Sequence, residues 1–367
     1  MKKKILFILH IPPPVNGAAM VGKQIKESQK INSAFETDYI NLTTSFTLSK
    51  IGKGGFQKIA TTFAIGWQVI KALSTKKYDL CYMTLTAKGA GFYKDFLIVL
   101  ILKLFGKKIL YHFHNKGVAK SSEKYLNHLL YSFVFKNTNS IQLSSLLFYD
   151  IQRYVRPENV YFCPNGIPEE SDVVQKRQRL PETPCKFLFL SNMMEEKGVL
   201  VLLEACSLLK EKGLDFECHF IGAWSDISED YFYERVRQLG ITQNIFAHGK
   251  QYGRQKIGFF SNADVFVFPT YYHNECFPLV LLEAMQYGLP VISTHEGGID
   301  DIVEDGKTGF LVPRKDGKEL ARVLERFVVN PSLSEQLGKE GRNRYEKMYT
   351  YKTFENNLMA ILLEISE

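Results

Sequence analysis

The chain has 367 residues, 45% of them hydrophobic and 23% charged, which is longer than one hydrophobic core usually supports and excludes a disordered, fibrous or low-complexity protein. Its net charge of +7 conceals two unlike halves: residues 1–180 carry 26 Lys/Arg against 11 Asp/Glu, a net +15, and residues 181–367 carry 20 against 28, a net −8. A basic half attracts anions, whether nucleic acid, anionic membrane or phosphorylated substrate, and charge alone does not choose among them.

The opening MKKKILFILHIPPP has the basic start of a secretory signal. Its apolar core ends after about five residues, too short for the hydrophobic region of a signal, so it reads as a buried first strand. A helix follows from about Ala18. The strand YDLCYMTL leads into a helix from Phe92 to Phe105, whose run FLIVLILKLF is broken by Lys103 and flanked by Lys94, Asp95, Lys107 and Lys108. That run is about half a membrane span; it reads as a buried helix or as one lying on a membrane surface. KKILYHFH precedes a helix from Ser121 to Phe135. The second half repeats the rhythm, with KFLFLSN before a helix at Gly198 to Lys212, DFECHFIG before Tyr231 to Leu239, and DVFVFPT before Leu279 to Tyr287.

Such alternation predicts parallel βαβ units. The expected fold is α/β, with two Rossmann-like doubly wound domains and ligands at the carboxyl ends of the strands. Residues 1–168 form the basic first domain and 185–345 the second. A polar linker with three prolines lies at 169–184, and a final helix at 346–367 docks through Phe354, Leu358, Ile361 and Leu362. The six cysteines show no CxxC pairing, which suits reduced thiols in a cytoplasmic setting.

The segment HNECFPLVLLEAMQYGLP sets Glu275 and Glu283 into an apolar run. Pro278 suits the first position of a helix, which leaves Glu275 in the entering loop and Glu283 about a turn and a half inside. A carboxylate among apolar neighbours is costly unless something hydrogen-bonds it. Eight helical residues span about 12 Å, close to the reach from sugar to ribose in a folded nucleotide sugar. The helix start between the glutamates offers unpaired N–H groups to a diphosphate. The plainer alternative is that Glu275 merely favours a helix N-terminus and Glu283 pairs with a neighbouring basic group.

With its two glutamates eight positions apart, ECFPLVLLEAMQYGLPVISTHEGGIDDIVEDGKTGFLV resembles the E-x7-E region of retaining glycosyltransferases of family 4, which have the GT-B fold: two Rossmann-like domains facing across a cleft. NGA at Asn16 to Ala18, HFH, PNGI, EEKGVLVLLEA and ADVFVFPT match in family order over nearly the whole chain. The resemblance implies that Glu275 contacts the donor sugar, Glu283 the ribose and Lys197 the diphosphate. It further implies that His114 lies beside donor sugar and acceptor, that Gly17 lets backbone approach the phosphate or acceptor in the turn after the first strand, and that the N–H groups of Phe277 and Leu279 face the phosphates.

Two histidines without a third ligand make an incomplete metal site, and the chain contains no D-x-D. Metal-independent transfer without a cofactor is therefore expected, from a UDP-sugar by preference or a GDP-sugar. Asn192 departs from the arginine of many relatives, since an amide donates hydrogen bonds but brings no charge. Arg254 is a candidate replacement, and base recognition is expected near His248 to Arg254. The expected partners are a polyprenyl-diphosphate-linked glycan and an anionic membrane at the inner face, with no nucleic acid, because no nucleic-acid motif accompanies the charge. A sugar-nucleotide epimerase of the same fold and a catalytically silent binding subunit are the alternatives.

Overall fold

The computed structural model describes residues 2–14, 16–43, 56–170 and 182–367. Most of the expected linker, 171–181, lies outside the described residues. The chain divides into two compact units, Met1–Asn165 with Lys352–Glu367, and Gly166–Tyr351.

The first unit is built on the strands β1 (Lys4–Leu9), β2 (Glu36–Asn41), β3 (Leu80–Thr84), β4 (Ile109–His112), β5 (Asn139–Gln142) and β6 (Val160–Phe162). They pair in parallel in the order β2-β1-β3-β4-β5-β6. KILFIL and LCYMT run apolar without alternation because helices cover both faces of such a sheet, and Ile5 to Leu9 and Leu80 to Met83 are fully buried. The core continues into the helices through contacts such as Phe92 with Tyr131, rings 4.4 Å apart.

The helix Gly17–Glu27 begins after the Asn16 cap, whose Oδ1 accepts from Ala19 N at 3.0 Å. It lies so close to the end of β1 that a Cβ on Gly22 would stand 2.0 Å from His10 O. Gly17 itself is the first helical residue, with open space around it, and not the turn residue expected from the sequence. The helix expected from Ser121 to Phe135 is two, Val118–Ser121 and Tyr125–Phe135. The break falls where Ser122 turns its hydroxyl back onto Ala119 O at 2.7 Å. The last helix, Tyr351–Ser366, groups with this unit from Lys352 onward. Glu355 accepts from Ser28 Oγ at 2.5 Å and Glu364 from Tyr161 OH at 2.8 Å.

The second unit carries β7 (Cys185–Leu190), β8 (Phe216–Ile221), β9 (Ile245–Ala247), β10 (Val265–Val267), β11 (Val291–Thr294) and β12 (Gly309–Val312), again all parallel, in the order β12-β11-β10-β7-β8-β9. The winding runs outward from β7 through β8 to β9, then returns to β10 on the other side of β7. The strand order therefore reverses between β7 and β10, where open α/β sheets leave a crevice for ligands. The unit ends beyond the helix Pro331–Met348, so the expected boundary at 345 falls inside that helix.

Replacing Gly22 with Ala should lower stability by about 1–3 kcal/mol, the usual cost of forcing a methyl group into occupied space. An unchanged urea midpoint would mean that the helix does not lie on the end of β1.

Candidate active site

At the reversal between β7 and β10 two loops are tied together. After β7 the chain makes a short turn, Glu195–Lys197, and enters the helix Val199–Glu211 through Gly198. Gly198 has φ +88°, and a Cβ there would lie 2.2 Å from Pro269 O, so only glycine lets the two loops touch. The Glu196 carbonyl then accepts from Tyr271 N at 2.8 Å and from Thr270 Oγ1 at 3.3 Å. Ser293, on β11, donates to Phe268 O at 2.7 Å and braces the second loop from behind.

This stitching brings Lys197 to Glu275, Nζ to Oε2 at 2.5 Å. The ammonium also lies over the Tyr272 ring, 4.4 Å from its centroid, with Phe268 at 5.4 Å. Aromatic faces favour a cation that has lost part of its water. Both side chains of the pair are mostly covered, 14% and 11% exposed, so each charge depends on the other for the solvation it lacks.

From Glu275 the chain passes the buried Cys276 and Phe277 into the helix Leu279–Gln286. Phe277 packs edge-on against Tyr349 with centroids 5.8 Å apart. Pro278 is the N-cap, one position earlier than expected, and its carbonyl accepts from Leu281 N at 3.1 Å. The N–H groups of Leu279 and Val280 have no intrahelical acceptor by the geometry of a helix start. Leu281, Leu282, Ala284 and Met285 are buried, whereas Glu283 is only partly so.

Glu283 meets Lys256 of the helix Gly253–Asn262, with Oε1 and Nζ 2.7 Å apart. Glu283 thus pairs with a basic group, as the plainer reading of the sequence allowed, while Arg254 of the same helix is exposed. Lys256 and Phe260 are four residues apart and share a helix face; Phe260 is buried and Nζ lies 5.8 Å from its ring. Arg254, two residues before Lys256, points elsewhere around the helix. The Lys256 and Phe260 spacing was a signal in the sequence, and Lys256 and Tyr272 are the two contributors that reading the sequence missed. Asn192 is exposed on the loop after β7, on the same side of the sheet as Lys197, and its carbonyl accepts from Met194 N at 2.8 Å.

His114 and Gly17 belong to the first unit. His112, at the end of β4, shares a hydrogen bond with Tyr82 OH through Nδ1, and the His114 ring lies 4.3 Å from it. Among the described residues no hydrogen-bond partner meets His112 Nε2 or either nitrogen of His114. Burial, then the neighbouring His10, pushes His114 down to about 3 from its ordinary 6.5. Burial, then Lys94, pushes His10 down to about 4, and burial, then His114, holds His112 well below its usual range. All three rings are neutral at physiological pH, so each offers one donor and one acceptor. Among the described residues no group of three or more His, Cys, Asp or Glu is arranged to hold a metal ion. All six cysteines are buried, and among the described residues none forms a disulfide.

Residues 170–344, most of the second unit, match the family described as Glycosyl transferases group 1. CapM of Staphylococcus aureus, a capsular polysaccharide biosynthesis glycosyltransferase, is 31% identical over 162 residues, covering 44% of this chain and 41% of CapM. WcaL of Escherichia coli, named for colanic acid biosynthesis, is 28% identical over 266 residues, 70% of this chain and 64% of WcaL. The chain thus spans about half the length of the curated relatives it matches. A sucrose-phosphate synthase from Thermosynechococcus elongatus superposes with a TM-score of 0.75 at 18% identity, covering 99% of both chains. HepE of Anabaena, solved with UDP and glucose, gives a TM-score of 0.71 at 17% identity, covering 98% of this chain and 99% of HepE. The fold is GT-B.

The three depressed histidines give stability a defined pH dependence. Below the unfolded value of 6.5 the unfolded chain takes up protons that the folded rings refuse, so stability falls as pH drops from about 6.5 toward 3. Each such group contributes a slope approaching about 1.4 kcal/mol per pH unit. His114→Gln should flatten this acid limb in melting temperatures measured across that range. A limb as steep in the variant as in the natural chain would contradict the depressed value.

Proposed function

We propose that the protein is a metal-independent, retaining glycosyltransferase of family 4. It would move a hexose or N-acetylhexosamine from a nucleoside-diphosphate sugar to a glycan or lipid-linked acceptor in cell-surface polysaccharide assembly. The observation that carries this reading is the pair of lysine–glutamate contacts, Lys197 with Glu275 just before the helix Leu279–Gln286 and Lys256 with Glu283 inside it. Anion donors in the middle and hydroxyl acceptors at both ends match a diphosphate flanked by sugar and ribose.

In this mechanism the diphosphate lies at the start of the helix Leu279–Gln286, where the N–H groups of Phe277 and Leu279 and the Asn192 amide donate to it. Lys197 turns one of its three donors from Glu275 to the phosphate, and Glu275 accepts from the sugar hydroxyls instead. As the bond from the anomeric carbon to the phosphate oxygen breaks, negative charge grows on the leaving group beside the Lys197 ammonium, which stabilises it. The acceptor oxygen bonds to the anomeric carbon on the face the phosphate leaves, and the acceptor proton passes to the phosphate. No side chain is needed as base. Glu283 accepts from the ribose hydroxyls, and Lys256 holds its carboxylate in place. Neutral His114 serves as a hydrogen-bonding contact to donor sugar and acceptor.

A UDP-sugar is favoured because HepE was solved with UDP, and a GDP-sugar is the alternative. Relatives named for capsular polysaccharide and amylovoran support a polysaccharide acceptor, here a glycan on polyprenyl diphosphate. No helix among the described residues is long and apolar enough to cross a membrane. The proposed location is cytoplasmic, in peripheral contact with the anionic inner face, where the basic first half meets acceptor phosphate. Nucleic acid is not a proposed partner.

Incubation with UDP-, GDP- and dTDP-sugars, with and without membrane lipid extract, tests the reading. Nucleotide release that requires the extract and survives a chelator is expected, and interconversion of the nucleotide sugar without acceptor would point to an epimerase. Glu283→Ala should weaken donor binding about tenfold or more, and Lys256→Ala less. The double variant should be no weaker than Glu283→Ala, because the lysine acts through the carboxylate. Additive losses in calorimetric titration would separate Lys256 from the ribose site.

A further inference from the structure

Three crossovers of the first unit, β2 to β3, β3 to β4 and β4 to β5, step in one direction across the sheet. Right-handed connection therefore lays their helices, Phe56–Thr75, Gly89–Leu104 and Tyr125–Phe135, on one face. They touch along their length. A Cβ on Gly66 would lie 3.4 Å from Ile101 Cδ1, the Phe96 and Phe133 rings are 5.8 Å apart, and Tyr93 OH donates to Asn127 Oδ1 at 2.7 Å.

The outer surface of this layer is apolar. Phe63 and Trp67 are 67% and 68% exposed, and Leu104 is 78% exposed, with Leu97, Leu126 and Phe133 exposed beside them. On the middle helix Tyr93, Leu97, Leu100 and Leu104 recur at positions i, i+4, i+7 and i+11, a helical stripe facing away from the core. A helix facing water carries charge there. Here the charges of that helix are withdrawn: Asp95 is fully buried, Lys94 folds onto Asp95 and Leu42 O, and Lys103 lies over the Phe133 ring and donates to Lys136 O.

Around this face the charge is predominantly positive. Residues 56–136 contain 13 Lys and no Arg against 3 Asp/Glu. Exposed Lys108 follows the middle helix, and exposed Lys124 and Lys136 stand at the two ends of the third.

We infer that this three-helix face docks on an anionic lipid surface, its aliphatic and aromatic tips entering the acyl boundary while the lysines meet headgroup phosphates. A nucleic acid would engage the lysines and leave the leucines in water, and a second copy would set two cationic rims against each other. An anionic bilayer satisfies both features at once. The inference gives the peripheral membrane contact of the proposed function a surface, and rests on that function only for its purpose.

The test is flotation of the full chain with vesicles of phosphatidylcholine alone and of equal parts phosphatidylcholine and phosphatidylglycerol. The chain should float with the anionic vesicles, less so at high salt, and remain behind with the neutral ones. Trp67→Gln combined with Leu104→Gln should reduce flotation about tenfold, from lost insertion of two exposed side chains, with melting temperature and nucleotide-sugar binding unchanged. A chain that stays unbound to anionic vesicles, or a double variant that floats as well as the natural chain, overturns the inference. So does a dimer in sedimentation that the double variant dissociates. Flotation by a chain that binds no nucleotide sugar supports the surface and refutes the transferase reading. Nucleotide-sugar binding without flotation overturns the surface alone.

Discussion

The short contact between Lys197 and Glu275 depends on two loops that are 78 residues apart in sequence and meet because β7 and β10 are neighbours in the sheet. Neither charge is well hydrated, and the pair compensates in both directions. Everything nearby maintains it: the left-handed Gly198, the Glu196 carbonyl shared by Thr270 and Tyr271, and the Tyr272 ring beneath the ammonium. In the proposed reaction a diphosphate would accept from Lys197 while sugar hydroxyls would take its place on Glu275, so that neither charge would be left buried and alone.

The contact of Glu283 with Lys256 repeats the device one helix further along, in a more exposed setting. The first unit offers a contrast. Its notable polar groups are the neutral histidines at the ends of β1 and β4, of which His112 and His114 hold ring nitrogens that find no partner among the described residues. One unit thus presents paired charges and the other uncharged ring nitrogens.

Much of this was legible in the sequence where the physics is local. KILFIL, LCYMT and CKFLFL are continuous apolar runs, which parallel strands buried on both faces require, and a helix begins between Glu275 and Glu283 where the proline marks it. Reading failed where tertiary context decides. β2, ETDYIN, and β5, NSIQ, are polar strands recruited by neighbours, and β2 is at an edge where one side meets water. Nothing in the run of basic residues marks Lys256 as the partner of Glu283, which only the packing of two helices brings together. Gly17 looked like a turn residue and is instead the first residue of a helix, which packs onto the end of β1 at Gly22, against His10 O.

The central claim is that Lys197 and the helix start beside it hold a diphosphate. Calorimetric titration of UDP and GDP against UMP and GMP tests it most directly, on the natural chain and on Lys197→Ala. One diphosphate should bind at least about tenfold more tightly than its monophosphate, a gap that should close in the variant because a charge-assisted hydrogen bond is lost. Equal affinity for diphosphate and monophosphate in the natural chain, or a gap that survives the loss of Lys197, would contradict the account.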